Sequence, residues 1–359
     1  MKRRKFILTV MIASAFFYSL GKFSLPSFST KGSPPVDLPN TTRIILAWTP
    51  IFGDWNFWYP PGLGYRPFSN ELCHYDDCHL TTDKAYLASA SAVLFHCRDS
   101  FERWPETRSR SQLYGVVCHE SPTYSEFVQY GDKINITLTY RRDSDVFFPQ
   151  CWFDRLQAPS NVSKYELRIP LRSRRRAVVW PVSNCNTASK RELYVRQLKQ
   201  HVEIDIYGSC GTLVCPKSRR EECSRQFSRD YKFYLAFENS VCTDYVSEKL
   251  FTPMQHEIIP IVLGGADYSF FPKHSYINVD DFPSPKRLAA YLDYLSTNET
   301  AFGEYFQWRL HYRLTCLNKE KLFCDLCRML HDGYKNQYRD ASSWWSKDSC
   351  DNNKLIKLI

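Results

Sequence analysis

The sequence predicts an α/β protein built on parallel sheets, and three observations carry that expectation. Its second half alternates short apolar runs with segments of helical spacing. At 359 residues it is long enough for about two domains, each able to bury a core of its own. Hydrophobic residues make up 43% and aromatic ones 16%, which suits a folded body rather than a disordered chain.

The chain opens differently. Lys2, Arg3, Arg4 and Lys5 precede an apolar run from Phe6 to Leu20. Basic residues stay on the cytoplasmic side, so residues 1–5 are expected to form a cytoplasmic tail, 6–24 a transmembrane signal-anchor, and all that follows a luminal body. The run is near the lower limit of about 17 residues for a span, which thin early-secretory membranes accommodate. Ala13-Ser14-Ala15 has the small-x-small form of a cleavage site, so a cleaved signal peptide is the alternative; both place the body in the secretory pathway. Residues 25–42, rich in Ser, Thr and Pro and without period, read as a stem.

Fourteen cysteines fit that compartment, as do N-x-[ST] glycan acceptors at Asn40, Asn135, Asn161 and Asn298. The even cysteine count permits full pairing without giving the connectivity. Much of the net charge of +9 lies in the N-terminal tail, in Arg172 to Arg176 and in Lys217 to Glu222. The first is a topology signal and the others read as solvated linkers or loops. Nucleic acid is therefore not the expected partner, whereas an anionic small ligand is compatible.

From Arg43 onward the elements follow in order. RIILAWTPIF (43–52) reads as the first buried strand, and SAVLFHC, LYGVVCHE and INITLTY as further strands of a first domain over 43–170. Residues 155–176 lose any period and read as the interdomain connection. A second domain over 171–350 then runs as strand (RAVVWPVSN), helix (SKRELYVRQLKQH), strand (VEIDIYGSCG), strand (YKFYLAFEN), helix (DYVSEKLFTPMQ), strand (EIIPIVLGG) and helix (SPKRLAAYLDYL, with Ser284 as N-cap). Residues 351–359 are a C-terminal tail. Pro253 should kink or shorten the helix it sits in.

In open parallel sheets ligands bind outside the carboxyl ends of the strands, beside helix N-termini. Asn239, Tyr245, Glu248 and Lys249 all fall in one such strand-to-helix connection. A lysine at a helix N-terminus favours phosphate, and a carboxylate there can accept hydrogen bonds from sugar hydroxyls. Chemistry alone leaves a second reading open, a capped surface helix in which Glu248 only complements the dipole.

The wording of the stretch is more specific. FYLAFENSVCTDYVSEKLF closely resembles the donor-binding signature of the α1,3-fucosyltransferases, whose core runs F-x-L-x-F-E-N-S and then D-Y-[IV]-[ST]-E-K. VSNCNTASKRELY, YGSCG, IPIVLG and YINVDDFPSP extend the resemblance, as do VLFHCRD, HESPTYS and TYRRDSDVFFP upstream, so it covers most of residues 90 to 312 in order. It implies a GT-B-type fold of two Rossmann-like domains facing across a cleft, with the donor GDP-β-L-fucose held by the second. By position, Arg191 and Lys249 resemble the cationic partners of the diphosphate, Asn239 and Tyr245 donor-pocket ligands, and Glu248 the partner of the ribose hydroxyls.

Carried over in the same way, Glu120 of HESP resembles the catalytic base, and His96 and Arg98 of HCRD match an acceptor motif in which Cys97 replaces a common second histidine. The resemblance implies an inverting transfer of L-fucose to O3 of an N-acetylglucosamine unit of a glycoprotein or oligosaccharide acceptor, by a single-pass type II Golgi membrane enzyme. It implies no metal for the chemistry, with Mn or Mg at most stimulatory. The D-x-D at Asp143 and Asp145 accordingly reads as structural or cleft-lining. Cys324 and Cys327 read as disulfide partners rather than a zinc half-site. The rival from another class is a catalytically silent luminal glycan-binding protein of the same fold. Joint retention of Arg191, Glu248, Lys249 and Glu120 argues against it.

Overall fold

The apolar runs expected as strands form two parallel sheets. The computed structural model describes residues 38–99, 103–125, 127–160, 171–316, 319–334 and 340–354. The expected tail, the anchor, the stem up to residue 37 and Asn161 lie outside the described residues. Among the described residues no helix is long and apolar enough to cross a membrane.

The first sheet contains β1 (Arg43–Ala47), β2 (Cys78–Thr81), β3 (Ala90–His96), β4 (Leu113–Cys118), β5 (Ile136–Thr139) and β6 (Val146–Phe147), in the order β2-β1-β3-β4-β5-β6. Every neighbouring pair is parallel. β4 is buried at every position, as befits a central strand covered on both faces. Next come β7 (Cys151–Arg155), β8 (Arg176–Pro181), β9 (Ile204–Tyr207), β10 (Tyr231–Phe237), β11 (Ile259–Leu263) and β12 (Ile277–Asn278). β8 to β12 make the second parallel sheet, in the order β12-β11-β10-β8-β9. β7 instead pairs antiparallel with β13 (Tyr312–Cys316).

Both sheets reverse direction of growth at one point, between β1 and β3 in the first and between β8 and β10 in the second. Adjacent connections leave such a point on opposite faces, which opens a crevice at the strands' carboxyl ends. The connections that leave β8 and β10 carry Arg191 and the segment from Asn239 to Lys249.

Among the described residues seven α-helices cover the sheets: α1 (Arg191–Leu198), α2 (Arg220–Asp230), α3 (Glu248–Gln255), α4 (Pro285–Thr297), α5 (Glu299–Glu304), α6 (Lys319–His331) and α7 (Ala341–Ser346). α1, α4 and α5 share one core with β8, β10 and β11, while α2 and α3 pack the opposite face with β7 and β13. Ser284 caps α4 as expected, its Oγ accepting from Arg287 N–H. Pro253 is the sixth of eight residues in α3, and the helix stops two residues later. α2 is a correction: Lys217 to Glu222 read as a solvated loop, yet the segment starts a helix that buries Ser224 and Phe227. Its sequence has few apolar residues, so no helical period was visible.

The domain boundaries also need correction. No α-helix lies among the described residues from 38 to 160, and the helical cover of the first sheet comes from the far end of the chain. Leu322, Phe323 and Leu326 of α6 pack on one face, and Ala341 and Trp345 of α7 on the other. The ring of Trp345 stacks on Phe127 at 4.5 Å and its indole N–H donates to Ser125 Oγ at 2.7 Å. α6 and α7 thus pack with the first sheet rather than within a domain over 171–350, and β7 packs in the second core rather than in a domain over 43–170.

All fourteen cysteines pair, with none free. Cys73–Cys324, Cys78–Cys327 and Cys242–Cys350 tie down the returning C-terminal segment. Cys151–Cys316 joins β7 to β13, Cys97–Cys118 joins the ends of β3 and β4, and Cys185–Cys210 and Cys215–Cys223 close short loops. Cys324 and Cys327 are disulfide partners, as expected. Asp77 and His331 flank the Cys78–Cys327 bridge, but a disulfide leaves no thiolate for a metal.

Candidate active site

β10 ends with a carboxylate after an apolar run. Glu238 is 1% exposed, and its Oε1 accepts from both Ser247 N–H and Ser247 Oγ–H at 2.8 Å. Ser247 in turn caps α3. Glu238 Oε2 lies 3.1 Å from Lys249 Nζ, which also donates to Ser247 Oγ at 2.8 Å and Glu248 Oε1 at 3.3 Å. The buried carboxylate therefore folds the segment from 239 to 247 back over the strand end and aims the first turn of α3. Burial alone would lower the Lys249 pKa, but Glu238 and Glu248 outweigh it and hold it above the ordinary value.

A close backbone approach supports this turn from behind. Thr243 bridges to Gly265 after β11, and a Cβ on Gly265 would stand 2.6 Å from the Cys242 carbonyl oxygen. Any side chain there would push the turn off its seat.

Arg191 is the first residue of α1 and is buried, one guanidinium nitrogen donating to the Phe237 carbonyl at 2.5 Å and the other to Asn184 O at 3.2 Å. Burial lowers its pKa, with Glu238 and Glu192 opposing, and an arginine stays charged throughout. Ser189 links the same turn to β10, its Oγ–H donating to Glu238 O at 2.8 Å.

Arg191, Asn239, Glu248 and Lys249 line one cleft of about 280 Å³ at the switch point of the second sheet. Its size is close to the ~300 Å³ at which small-molecule sites begin. The N-termini of α1 and α3 open on it, which adds partial positive charge to the two cations. Arg220, the first residue of α2, is a third cation on the wall. Tyr245 is absent from this lining. It is 3% exposed and packs its ring 5.3 Å from that of Tyr140, in the core that holds Trp345.

Glu120 follows β4 on the first sheet and is half-buried. Burial pushes its pKa above the ordinary carboxylate value; Arg98 and Lys249 pull it down, and Glu248 and Glu238 add to the rise. The next residue, Ser121, is fully buried and its Oγ lies 2.9 Å from Ser240 Oγ. Tyr124 Oη accepts from Ala188 N–H at 3.1 Å, and Arg142 N–H donates to Asp244 Oδ2 at 3.0 Å. The carboxyl ends of the two sheets therefore meet along one seam, with Glu120 beside the connection that carries Lys249.

His96 lies buried beneath this seam, its Nδ1 against the Asp99 carboxylate, and burial lowers its pKa despite that partner. Asp99 also accepts from Phe52 and Gly53 N–H at 2.7 Å each, so the pair anchors the loop after β1. Arg98 is exposed and donates to the Tyr124 carbonyl. Cys97, standing where a histidine was expected, is consumed in the bridge to Cys118. His119 Nε2–H donates to Phe148 O at 2.7 Å, and burial brings its pKa down to about 4.

Asp143 accepts from the Arg141 guanidinium at 2.9 and 2.8 Å and from Trp344 Nε1–H at 2.9 Å. Asp145 accepts from Thr137 N–H and from Tyr334 Oη–H, both at 2.8 Å. The two carboxylates thus fasten α7 and the end of α6 to the first sheet. Among the glycan acceptors, Asn40 is exposed and Asn298 caps α5, with its Nδ2 donating to Tyr294 Oη at 3.0 Å. Asn135 is 1% exposed and its Oδ1 accepts from Tyr114 N–H at 2.8 Å, so the folded chain does not present that side chain to solvent.

Sequence reasoning missed Glu238 and Arg220. Glu238 had a signal, a lone carboxylate closing the apolar run of β10. Arg220 had none, being one charge in a run of six polar residues.

A profile described as "Glycosyltransferase family 10 (fucosyltransferase) C-term" matches residues 171–344, and one described as "Fucosyltransferase, N-terminal" matches residues 40–150. The chain is 37% identical over 350 residues to alpha-(1,3)-fucosyltransferase C of Drosophila melanogaster, covering 89% of this chain and 81% of the relative. It is 33% identical over 308 residues to glycoprotein 3-alpha-L-fucosyltransferase A of the same organism, covering 82% of this chain and 58% of that protein's length. The fold is similar to a crystal structure of an alpha1,3-fucosyltransferase with GDP, at a TM-score of 0.50 and 18% identity, over 84% of this chain and 93% of that one.

Proposed function

The chain belongs to the glycosyltransferase family 10 fucosyltransferases, and on that premise we propose that it moves L-fucose from GDP-β-L-fucose to O3 of an N-acetylglucosamine residue in glycoprotein glycans, inverting the anomeric carbon. In this reading the Glu120 carboxylate removes the proton from the acceptor O3 as that oxygen attacks C1. The bond from C1 to the diphosphate oxygen breaks through an oxocarbenium-like state. GDP departs with its developing charge held by Arg191, Lys249 and the first turn of α3. Of the three acceptors around Lys249 Nζ, Glu248 is the most distant and half-exposed, so a diphosphate oxygen displaces it most readily and frees its carboxylate for the ribose hydroxyls. Asn239 faces the donor from the same wall, and Tyr245 acts from behind, as packing under the turn.

The observation that carries this reading is the Ser121 to Ser240 hydrogen bond, which holds the turn of the proposed base against the connection that carries the proposed phosphate ligands. A raised carboxyl pKa suits a base that must take a proton near neutrality. Fixed cations supply the neutralisation that a metal would otherwise give, so Mn or Mg is expected to stimulate at most. His96 and Arg98 support the acceptor side, His96 through Asp99 and the loop after β1. Anchoring as a type II Golgi membrane protein is part of the same proposal and rests on the N-terminal charge pattern.

The test incubates residues 38–359 with GDP-fucose and two acceptors in parallel, a core N-glycan glycopeptide and an N-acetyllactosamine oligosaccharide, read by mass. Gain of one deoxyhexose on either establishes the transfer and names the acceptor class. Gain on neither, with GDP still bound, would overturn the proposal for these acceptors.

A further inference from the structure

A second cavity, of about 240 Å³, shares the connection between β10 and α3 with the donor cleft but none of its lining residues. Arg142 and Phe147 come to it from the first sheet, and Trp152, Asp244, Asp267 and Phe270 from the second. Two of its rings are unusually bare, Phe147 at 38% and Phe270 at 56% exposure. The Arg142 guanidinium lies 3.5 Å from the Phe270 ring centroid and 5.5 Å from that of Phe147, which steadies both rings as platforms. The main-chain N–H of Arg142 also holds Asp244, at φ +58, a conformation Asp tolerates better than most residues. Tyr140 lines the same cavity with its ring, its hydroxyl being buried and without a hydrogen-bond partner among the described residues.

These features select a class of ligand. One cation among two carboxylates does not favour an anion. Bare aromatic faces set between isolated polar groups match a ring that is apolar on its C–H face and carries hydroxyls at its edge. The Asp244 and Asp267 carboxylates on the lining can accept hydrogen bonds from such hydroxyls. We propose that this cavity is a saccharide subsite, holding a sugar of the acceptor glycan remote from the accepting hydroxyl. It rests on the acceptor being a glycan, as set out above, and extends that reading to a part of the acceptor that the chemistry does not touch.

The experiment uses the full-length protein with a free biantennary N-glycan, which contains both candidate accepting units, and with the two matching disaccharides, N-acetyllactosamine and chitobiose. Saturation-transfer NMR in the presence of GDP reads binding without turnover. Wild-type protein should transfer saturation to sugars outside the accepting disaccharide, and Phe270→Ala and Arg142→Gln, both at exposed positions, should lose it. In kinetics the variants should raise KM for the biantennary glycan about three- to tenfold, leaving kcat and the KM values for GDP-fucose and the disaccharide unchanged. Saturation confined to the accepting disaccharide in wild type, or variants that affect disaccharide and glycan alike or neither, would overturn the subsite. The binding arm decides even if no fucose is transferred, so failure of the enzymatic reading is told apart from failure of this one.

Discussion

At Glu120, burial raises the carboxyl pKa against the pull of Arg98 and Lys249. The folded state then holds the proton more tightly than the unfolded one, so stability is lost as pH rises from the unfolded value toward the folded one. Glu120→Gln is therefore expected to raise Tm relative to wild type at pH 7, with the difference vanishing below about pH 4, where both states are protonated. The same variant should lower kcat by about 10² to 10⁴ while sparing GDP affinity. Melting curves across pH and calorimetric GDP titration check both; an unchanged kcat would remove Glu120 as base. Lys249→Ala should weaken GDP binding by about ten- to a hundredfold, the loss of a charge-assisted hydrogen bond. Glu120 and Lys249 were both legible in the sequence, because each sits in a run of words matching a known signature. Tyr245 was read from the same words as a donor ligand; in the structure its ring is buried at the seam against Tyr140, outside the lining of the cleft.

Among the elements, α3 shows how a short helix can do its work in its first turn. Ser247, Glu248 and Lys249 precede Pro253 by at least a full turn, and the helix ends just beyond the proline. Pro253→Ala is expected to change GDP affinity less than about twofold: the carbonyl its ring crowds is that of Lys249, four residues back, while the Lys249 side chain is held independently by Glu238 and Ser247. A larger gain in affinity would mean that the proline limits donor binding. α2 is the contrasting case, a helix that starts in a run of charges and sets Arg220 on the cleft wall. Arg220→Ala should raise KM for GDP-fucose severalfold with kcat retained, as the loss of a partly screened cation at the rim does. Strands β8, β10 and β11 were visible as apolar runs because a strand covered on both faces can carry little else. α2 was hidden because its stability comes from a few buried contacts rather than from an amphipathic stripe.

For the molecule as a whole, the C-terminal segment returns to complete the first sheet, and disulfides hold it there. Cys73–Cys324 and Cys78–Cys327 span 251 and 249 residues and close nearly the same loop. Removing either bridge alone should cost about 3 kcal/mol, because the other leaves only a loop of roughly ten residues to be closed. Removing both should cost more than twice that, because the long loop then also opens. Tm values of the two double-Ser variants and the quadruple variant test this; strictly additive losses would contradict it. By itself the sequence determined the strands, the helix cap at Ser284 and the signature turn, since each is written in neighbouring residues. Only the tertiary structure decided which cysteines pair, that α6 and α7 cover the first sheet, that Asn135 is buried, and that Glu238 organises Lys249. Each of those depends on groups far apart in the chain or on what covers a position, and no local period records what will pack against it.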